Sequence, residues 1–483
     1  MSGHTVEKIG GTSMSCTDRV MGNILLGDRE GEALYQRVIV VSAYGGMTDL
    51  LLEHKKSGDA GVYALFSEGE SEWLWSDALT RVGERMCAKN AEVFGDGHYL
   101  EIADQFVRER IEGARSCLMD LQRLCSYGHF QLEQHLITVR EMLAAVGEAH
   151  SAHNPTLLLK QRGVNARFMD LTGWRDDVTL PLDEKIRSAF ADVDFARELP
   201  IVPGYVKCEE GLVKLYDRGY TEITMSRVAV ITGAREAIIH KEYHLSSADP
   251  KVVGADKVTP IGRTNYDVAD QLSNLGMEAI HPRAAKGLRQ NGIPLRVKNT
   301  FEPQHDGTLI DGDYRSERPC VEIVAGMRSL IAVEVFDQDM VGGTSRYDAD
   351  ILELIDRFRI PVVTKDVNAN SITHYVAASL KKVKRLTCFI EERYPSAAIR
   401  VKKLSMVCAI GSDLDVPGLL AHCAQELARA DVSILSIHQN MRAVDIQFLI
   451  DEGDYERAIR ALHECVIEKV DEPEDIARLV SVA

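Results

Sequence analysis

The chain has 483 residues, 45% hydrophobic and 27% charged, which suits about three domains with full cores and no need of disulfide staples. No apolar run reaches the ~18 residues of a spanning helix. The N-terminus lacks the apolar stretch of a signal peptide, and the ten cysteines include no Cys-x-x-Cys pair, so a reduced, cytoplasmic protein is expected. The formal charge of −17 argues against nucleic acid and anionic membranes as partners, though not against an anionic substrate held at a locally basic site.

Residues 4–9 (HTVEKI) read as a strand running into Gly10-Gly11-Thr12-Ser13 and a helix. Residues 37–43 (RVIVVSA) carry the β-branched run of a strand buried on both faces of a parallel sheet. Residues 64–146 read as helical, and a helix over 155–162 ends at Gly163. Strands follow at 164–169 and 201–204, a helix at 222–233, a strand at 237–240, a helix at 265–280 and a strand at 293–298. This alternation predicts an α/β domain over residues 1–310, a three-layer αβα sandwich around a mostly parallel sheet. Residues 311–324 are polar and turn-rich, as in a linker. Strand, helix and strand signals then recur at 329–335, 348–358 and 360–363, and again at 404–410, 416–430 and 432–437. The repeat predicts two ferredoxin-like β-α-β-β-α-β units in tandem, over 325–400 and 401–475.

Two glycine turns carry chemistry. A strand that ends in Gly10-Gly11-Thr12-Ser13 and opens into a helix presents backbone N–H groups as a phosphate cradle. Lys8, at the strand end, can reach transferring phosphate oxygens. The motif is neither a Walker A loop nor G-x-G-x-x-G, and alone it reads equally as a tight turn with a surface lysine. The second turn, Ser42-Ala43-Tyr44-Gly45-Gly46-Met47-Thr48-Asp49, places two hydroxyls near a helix start. They suit a carboxylate or phosphate, while Thr48 reads equally as a helix N-cap. The histidines show no metal spacing. His281, before Pro282-Arg283, reads as a structural hydrogen-bonder. Asp337, Asp339, Asp348 and Asp350 read as a solvated face.

Taken together, the two turns resemble the aspartokinases of the amino acid kinase fold. Lys8 to Ser13 is similar to that family's K-F-G-G-T-S, residues 40–51 (VVSAYGGMTDLL) to V-V-S-A-x-G-G-V-T-D-L-L, and residues 247–253 (SADPKVV) to T-A-D-P-R-V-V. Residues 275–310 follow the family in order and spacing, and the C-terminal repeat resembles its two ACT domains. Residues 55–135 find no match. The resemblance implies a phosphate loop of Gly10, Gly11, Thr12 and Ser13, with Lys8 neutralising phosphate charge. Ser42 and Thr48 would hold aspartate, and Glu148, in Gly147-Glu148-Ala149-His150-Ser151, would pair with its ammonium. Arg218 would fork onto its α-carboxylate. The family's G-R-G-G-S-D reads Asp217-Arg218-Gly219-Tyr220-Thr221-Glu222 here. Thr221 is therefore a substrate residue, Glu222 a catalytic residue and Mg²⁺ ligand, and Tyr220, in a glycine's place, predicts a reshaped loop. The nucleotide side departs further: the family's W-T-D-V is Ile239-His240-Lys241-Glu242. His240, Lys241, Ser246 and Lys251 are the nucleotide contacts expected.

The resemblance implies transfer of the γ-phosphoryl of ATP to the β-carboxylate of L-aspartate, with Mg²⁺. The altered loop is similar to the divergent branch of the family that serves ectoine synthesis. A housekeeping aspartokinase for lysine and threonine, or a non-catalytic amino acid sensor, remain alternatives. The repeat is expected to bind a small amino acid effector near Asp337, Met340, Gly342, Gly343, Gln439 and Asn440. Threonine is favoured over lysine because Asn368, Asn370 and Ser371 replace the family's T-S-E-V-S stretch, whose one acid could partner an ammonium. A homodimer through the ACT-like units is expected.

Overall fold

The computed structural model describes residues 3–54, 57–69, 71–216, 219–275, 280–316 and 321–468. It divides into two compact units, whose bounds are Met1–Leu245 with Ile280–Gly312, and Ser246–Ala279 with Asp313–Ala483. The first unit therefore does not run unbroken to residue 310 as the sequence suggested. The S-A-D-P-K-V-V run belongs to the second unit because it buries Ala248, Val252 and Val253 in one apolar cluster with Val324, Leu419 and Phe448. Ser247 Oγ also meets His463 Nε2 at 2.9 Å.

In the first unit, six parallel strands lie in the order Ala166–Phe168, Leu199–Pro203, Arg37–Val41, Thr5–Ile9, Glu236–Lys241 and Leu295–Asn299. Thr308–Asp311 pairs antiparallel to the last of these, so a strand reaches into the expected linker. Arg37–Val41 and Leu199–Pro203 are buried at every position, as strands covered on both faces of a parallel sheet should be. This is the mixed α/β, mostly parallel architecture that the alternation predicts.

The unmatched region is a helical hairpin, Glu72–Phe94 and His98–Ser126. Gly95 and Gly97 turn the chain between them at φ 68° and 93°, angles that a side chain would strain. A buried polar seam ties the hairpin to the helix Leu136–Gln161: Asn90 Oδ1 meets His150 Nε2 at 2.7 Å and accepts from Asn154 Nδ2 at 2.9 Å.

The second unit holds one six-stranded antiparallel sheet in the order Val362–Val367, Ser371–Val376, Ile323–Phe336, Ala398–Ile410, Asp445–Asp451, Ile434–Gln439. Its two central strands are shared. Residues 330–336 pair with 398–404, and 323–327 pair with 406–410, across a register shift. Ser329, at φ 60°, marks the shift on its own strand. The first ferredoxin-like unit is thus complete between 330 and 404. The second is not contiguous: its fourth strand is 323–327, which precedes the first unit in sequence. Two tandem units over 325–400 and 401–475 are therefore corrected to one unit inserted into the other. Gly326 lets the shared strands approach, since a Cβ there would stand 2.4 Å from the Met406 carbonyl oxygen.

Candidate active site

Successive residues of a strand face opposite sides of a sheet, and Glu7 and Lys8 separate two environments. Glu7 is buried and accepts from Arg37 Nε at 2.6 Å and Nη2 at 3.0 Å, with His240 Nε2 at 2.9 Å. Burial alone would raise its pKa, but Arg37 and His240 outweigh that and hold it well below the usual carboxylate range. His240 thus lies on the Glu7 face, where burial lowers its own pKa. It is a member of a buried charge network, and its expected place among the nucleotide contacts is corrected.

Lys8, on the other face, meets Glu222 Oε1 at 3.3 Å. Glu222 Oε2 accepts the His281 backbone N–H at 2.5 Å, and the His281 ring accepts the Arg283 N–H as the cap of the helix Pro282–Gln290, the structural hydrogen-bonding role expected of it. Burial pushes the Glu222 carboxyl up, yet the charges of Lys8 and Lys241 and the His281 N–H bring it below its ordinary value. Lys241 therefore acts on the Lys8 side of the sheet.

Beside this pair lies a cleft of about 240 Å³ lined by Gly11, Thr12, Ser42, Thr48, Glu148 and Thr221, together with Tyr44, Asp49 and Tyr220. The two glycine turns touch here. Gly45 N–H donates to the Gly11 carbonyl at 3.0 Å, and a Cβ on Gly11 would stand 2.5 Å from the Ala43 carbonyl oxygen. Only glycine allows that approach. Ser42 Oγ donates to Thr221 Oγ1 at 3.2 Å. Thr48 sits inside the helix Met47–Leu51, whose N-cap is Gly46, so it lines the cleft rather than capping the helix.

Glu148 is buried mid-helix. Its Oε2 accepts the Gly204 N–H at 3.1 Å and its Oε1 the Tyr220 hydroxyl at 3.1 Å. Burial raises its pKa to about 7, against the pull of these bonds, the Ala43 N–H and the charge of Lys8. Lys8 therefore acts strongly on Glu222 and more weakly on Glu148, at the junction of the first glycine turn and the cleft.

Two residues escaped sequence reasoning. Tyr220 needs no glycine angle. It opens the helix Tyr220–Thr232, and Gly219 before it has φ −98°, so neither position needs a glycine-only angle. Glu242 accepts both the Ser13 N–H at 3.0 Å and the Ser13 hydroxyl at 2.9 Å, taking up donors of the first glycine turn. Its presence in place of the family's valine was the available signal.

Arg218 lies outside the described residues. Ser246 and Lys251 belong to the second unit, where Lys251 is exposed beside its helix cap Asp249. Of the expected effector residues, Asp337 already accepts from the Asp339 N–H, Tyr347 and Ser396 at 2.8–3.1 Å. Met340 is fully buried with Ile351 and Ile355, so it is core rather than contact. Gly342 and Gln439 are exposed. Asn440 closes its own turn, donating to Asp445 at 2.7 Å and accepting from the Arg442 N–H at 2.9 Å.

Among the described residues no three His, Cys, Asp or Glu gather to hold a metal. Mg²⁺ commonly takes one or two carboxylates and completes its shell with water and substrate phosphates. The single carboxylate of Glu222 beside Lys8 fits that donor set.

The chain matches the amino acid kinase family over residues 4–299 and an ACT domain over 396–464. It is 58% identical to aspartate kinase Ask_Ect of Stutzerimonas stutzeri (strain A1501), over 99% of this chain and 100% of the relative. Among solved structures it resembles aspartate kinase of Clostridium acetobutylicum, with TM-score 0.73 and 17% identity over 96% of this chain and 100% of that one. It also resembles E. coli aspartokinase III in complex with lysine and aspartate, with TM-score 0.71 and 17% identity over 96% and 100%.

Proposed function

Since the chain belongs to the aspartate kinases of the amino acid kinase family, we propose that the cleft beside Lys8 binds L-aspartate and that its β-carboxylate receives the γ-phosphoryl of ATP there, giving 4-phospho-L-aspartate. As an aspartate kinase the protein is a phosphotransferase with a carboxyl group as acceptor. The observation that supports this siting is the shared position of Lys8, within reach of Glu222 and acting on Glu148. The attacking oxygen is already anionic, so no general base is needed, and the site's work is positioning and charge neutralisation. Lys8 neutralises phosphate charge. Glu148 receives the substrate ammonium, Ser42, Thr48 and Thr221 offer hydroxyls, and Arg218 takes the α-carboxylate as the motif implies. Mg²⁺, held by Glu222, would supply further neutralisation of the phosphates. An ADP-release assay tests the reading: turnover requires aspartate, and an amino acid sensor would release none.

We also propose that the product feeds ectoine synthesis, that the inserted pair of ACT units binds an amino acid, threonine before lysine, and that these units join a homodimer. The neighbour's bound lysine supports an amino acid as the kind of effector. Deleting the gene in its own host should lower ectoine under salt stress without creating a lysine or threonine requirement. An activity titration with each amino acid tests the effector, and inhibition by lysine with indifference to threonine would reverse the order.

A further inference from the structure

We propose that Tyr220 is a positioning residue for aspartate binding: its hydroxyl holds the Glu148 carboxylate, at the wall of the cleft, ready to receive the substrate ammonium. The inference rests on the assignment of Glu148 to that ammonium. Each Glu148 oxygen has its own tether. Oε2 takes the Gly204 backbone N–H, and Oε1 takes the Tyr220 hydroxyl, both at 3.1 Å. The backbone tether belongs to the fold; the hydroxyl is a choice of side chain. The motif that residues 218–222 resemble has glycine at position 220, which could offer no such donor.

The phenol is itself fixed. Tyr220 is 3% exposed, and its ring stands edge-on to Tyr205, with centroids 5.9 Å apart at 87°. Tyr205 is anchored in turn, donating to Glu141 at 2.5 Å. Glu141 also accepts the Lys214 N–H at 3.0 Å. The hydroxyl therefore reaches Glu148 from a rigid mount.

The groups that face Glu148 are few. Lys8 acts on it from the first strand, Tyr220 from its helix, and the Ala43 and Gly204 N–H groups from their turns. Asp49, on the helix Met47–Leu51, lines the same cleft. Burial raises Glu148 to about 7, and the Tyr220 hydroxyl pulls it down. Removing the hydroxyl must raise it further. An ammonium pairs with the ionised form, so aspartate binding weakens as pH falls through this value. Loss of the hydroxyl moves that weakening to higher pH.

The test is the KM for aspartate of the full-length enzyme with Mg-ATP, from pH 6 to 9, for wild type, Y220F and E148Q, with thermal melts as a check on folding. Y220F should raise KM about two- to fivefold at pH 7, more than it lowers kcat, and shift the acid limb up by ~0.5–1 pH unit. The effect should fade toward pH 9. E148Q should give a high KM with no limb. A Y220F limb that coincides with wild type overturns the proposal, as does a KM raised by one factor at every pH, the mark of a merely structural role. If E148Q binds aspartate as wild type does, the assignment of Glu148 fails and the proposal falls with it.

Discussion

One strand carries two ion pairs on its two faces, and they do different work. On one face Glu7 is matched by Arg37 and His240 at 3.0 Å or less, and Arg37 is further held by the Leu25 and Ile24 carbonyls. All three side chains are buried and no partner is left over. One residue later, Lys8 meets a single carboxylate oxygen at 3.3 Å, with both side chains part-exposed. A saturated buried pair is costly to break and offers nothing to a ligand. A pair at the edge of a cleft that shares only one contact between its charges can take a new partner. How fully a pair is satisfied, rather than which residues form it, separates structure from chemistry on this strand.

Four experiments test that contrast. The largest effect is expected from Lys8→Ala, which should lower kcat about a thousandfold or more while leaving the melting temperature close to wild type. The reverse is expected of Glu7→Gln. It strips the charge partner from Arg37 and should cost about 3–5 kcal/mol in denaturant unfolding. If Lys8→Ala melts as early as Glu7→Gln, the contrast fails.

Acid titration of stability comes next. Glu7 has its folded pKa depressed, so its contribution is present above the ordinary carboxylate range and is lost as pH falls through the folded value. His240, also depressed, acts in the same direction, because below about pH 6.5 the unfolded chain takes up a proton that the buried ring resists. Wild type should therefore lose stability steadily on acidification, and Glu7→Gln should flatten the steepest part of that loss. A parallel slope in both proteins would remove Glu7 from the account. The smallest effect is expected from His240→Asn. It should lower stability by about 1–2 kcal/mol yet change the KM for ATP by less than threefold, or ~0.7 kcal/mol. A larger rise in that KM would return His240 to the nucleotide site.

Much of this was legible in the sequence. The buried strands and the two Gly-Gly turns are local signals, and the turns singled out Lys8, Ser42 and Thr48; Glu148 and Thr221 were added by the family resemblance, and Ser42, Thr48, Glu148 and Thr221 line one cleft. What escaped depends on partners distant in sequence. Strand alternation sets His240 opposite Glu7, but only the pairing of Ile9 with His240 shows that the two side chains meet. Tyr220 read as a misfit because its motif position suggested a glycine angle; the helix that starts there removes the demand. The second ferredoxin-like unit lost a strand because Ile323–Phe336 is one continuous strand serving two units, and only its latter half stood out. Periodicity identifies a strand without naming its neighbours.

The most direct measurement is to trap the acyl phosphate. Hydroxylamine converts 4-phospho-L-aspartate to a coloured hydroxamate, and wild type and Lys8→Ala can be run side by side with Mg-ATP, with and without aspartate. The account predicts aspartate-dependent hydroxamate from wild type and at least ~100-fold less from Lys8→Ala, a barrier difference of about 2.7 kcal/mol. Product from Lys8→Ala within about tenfold of wild type, or ~1.4 kcal/mol, would contradict it, as would wild-type hydroxamate that forms without aspartate.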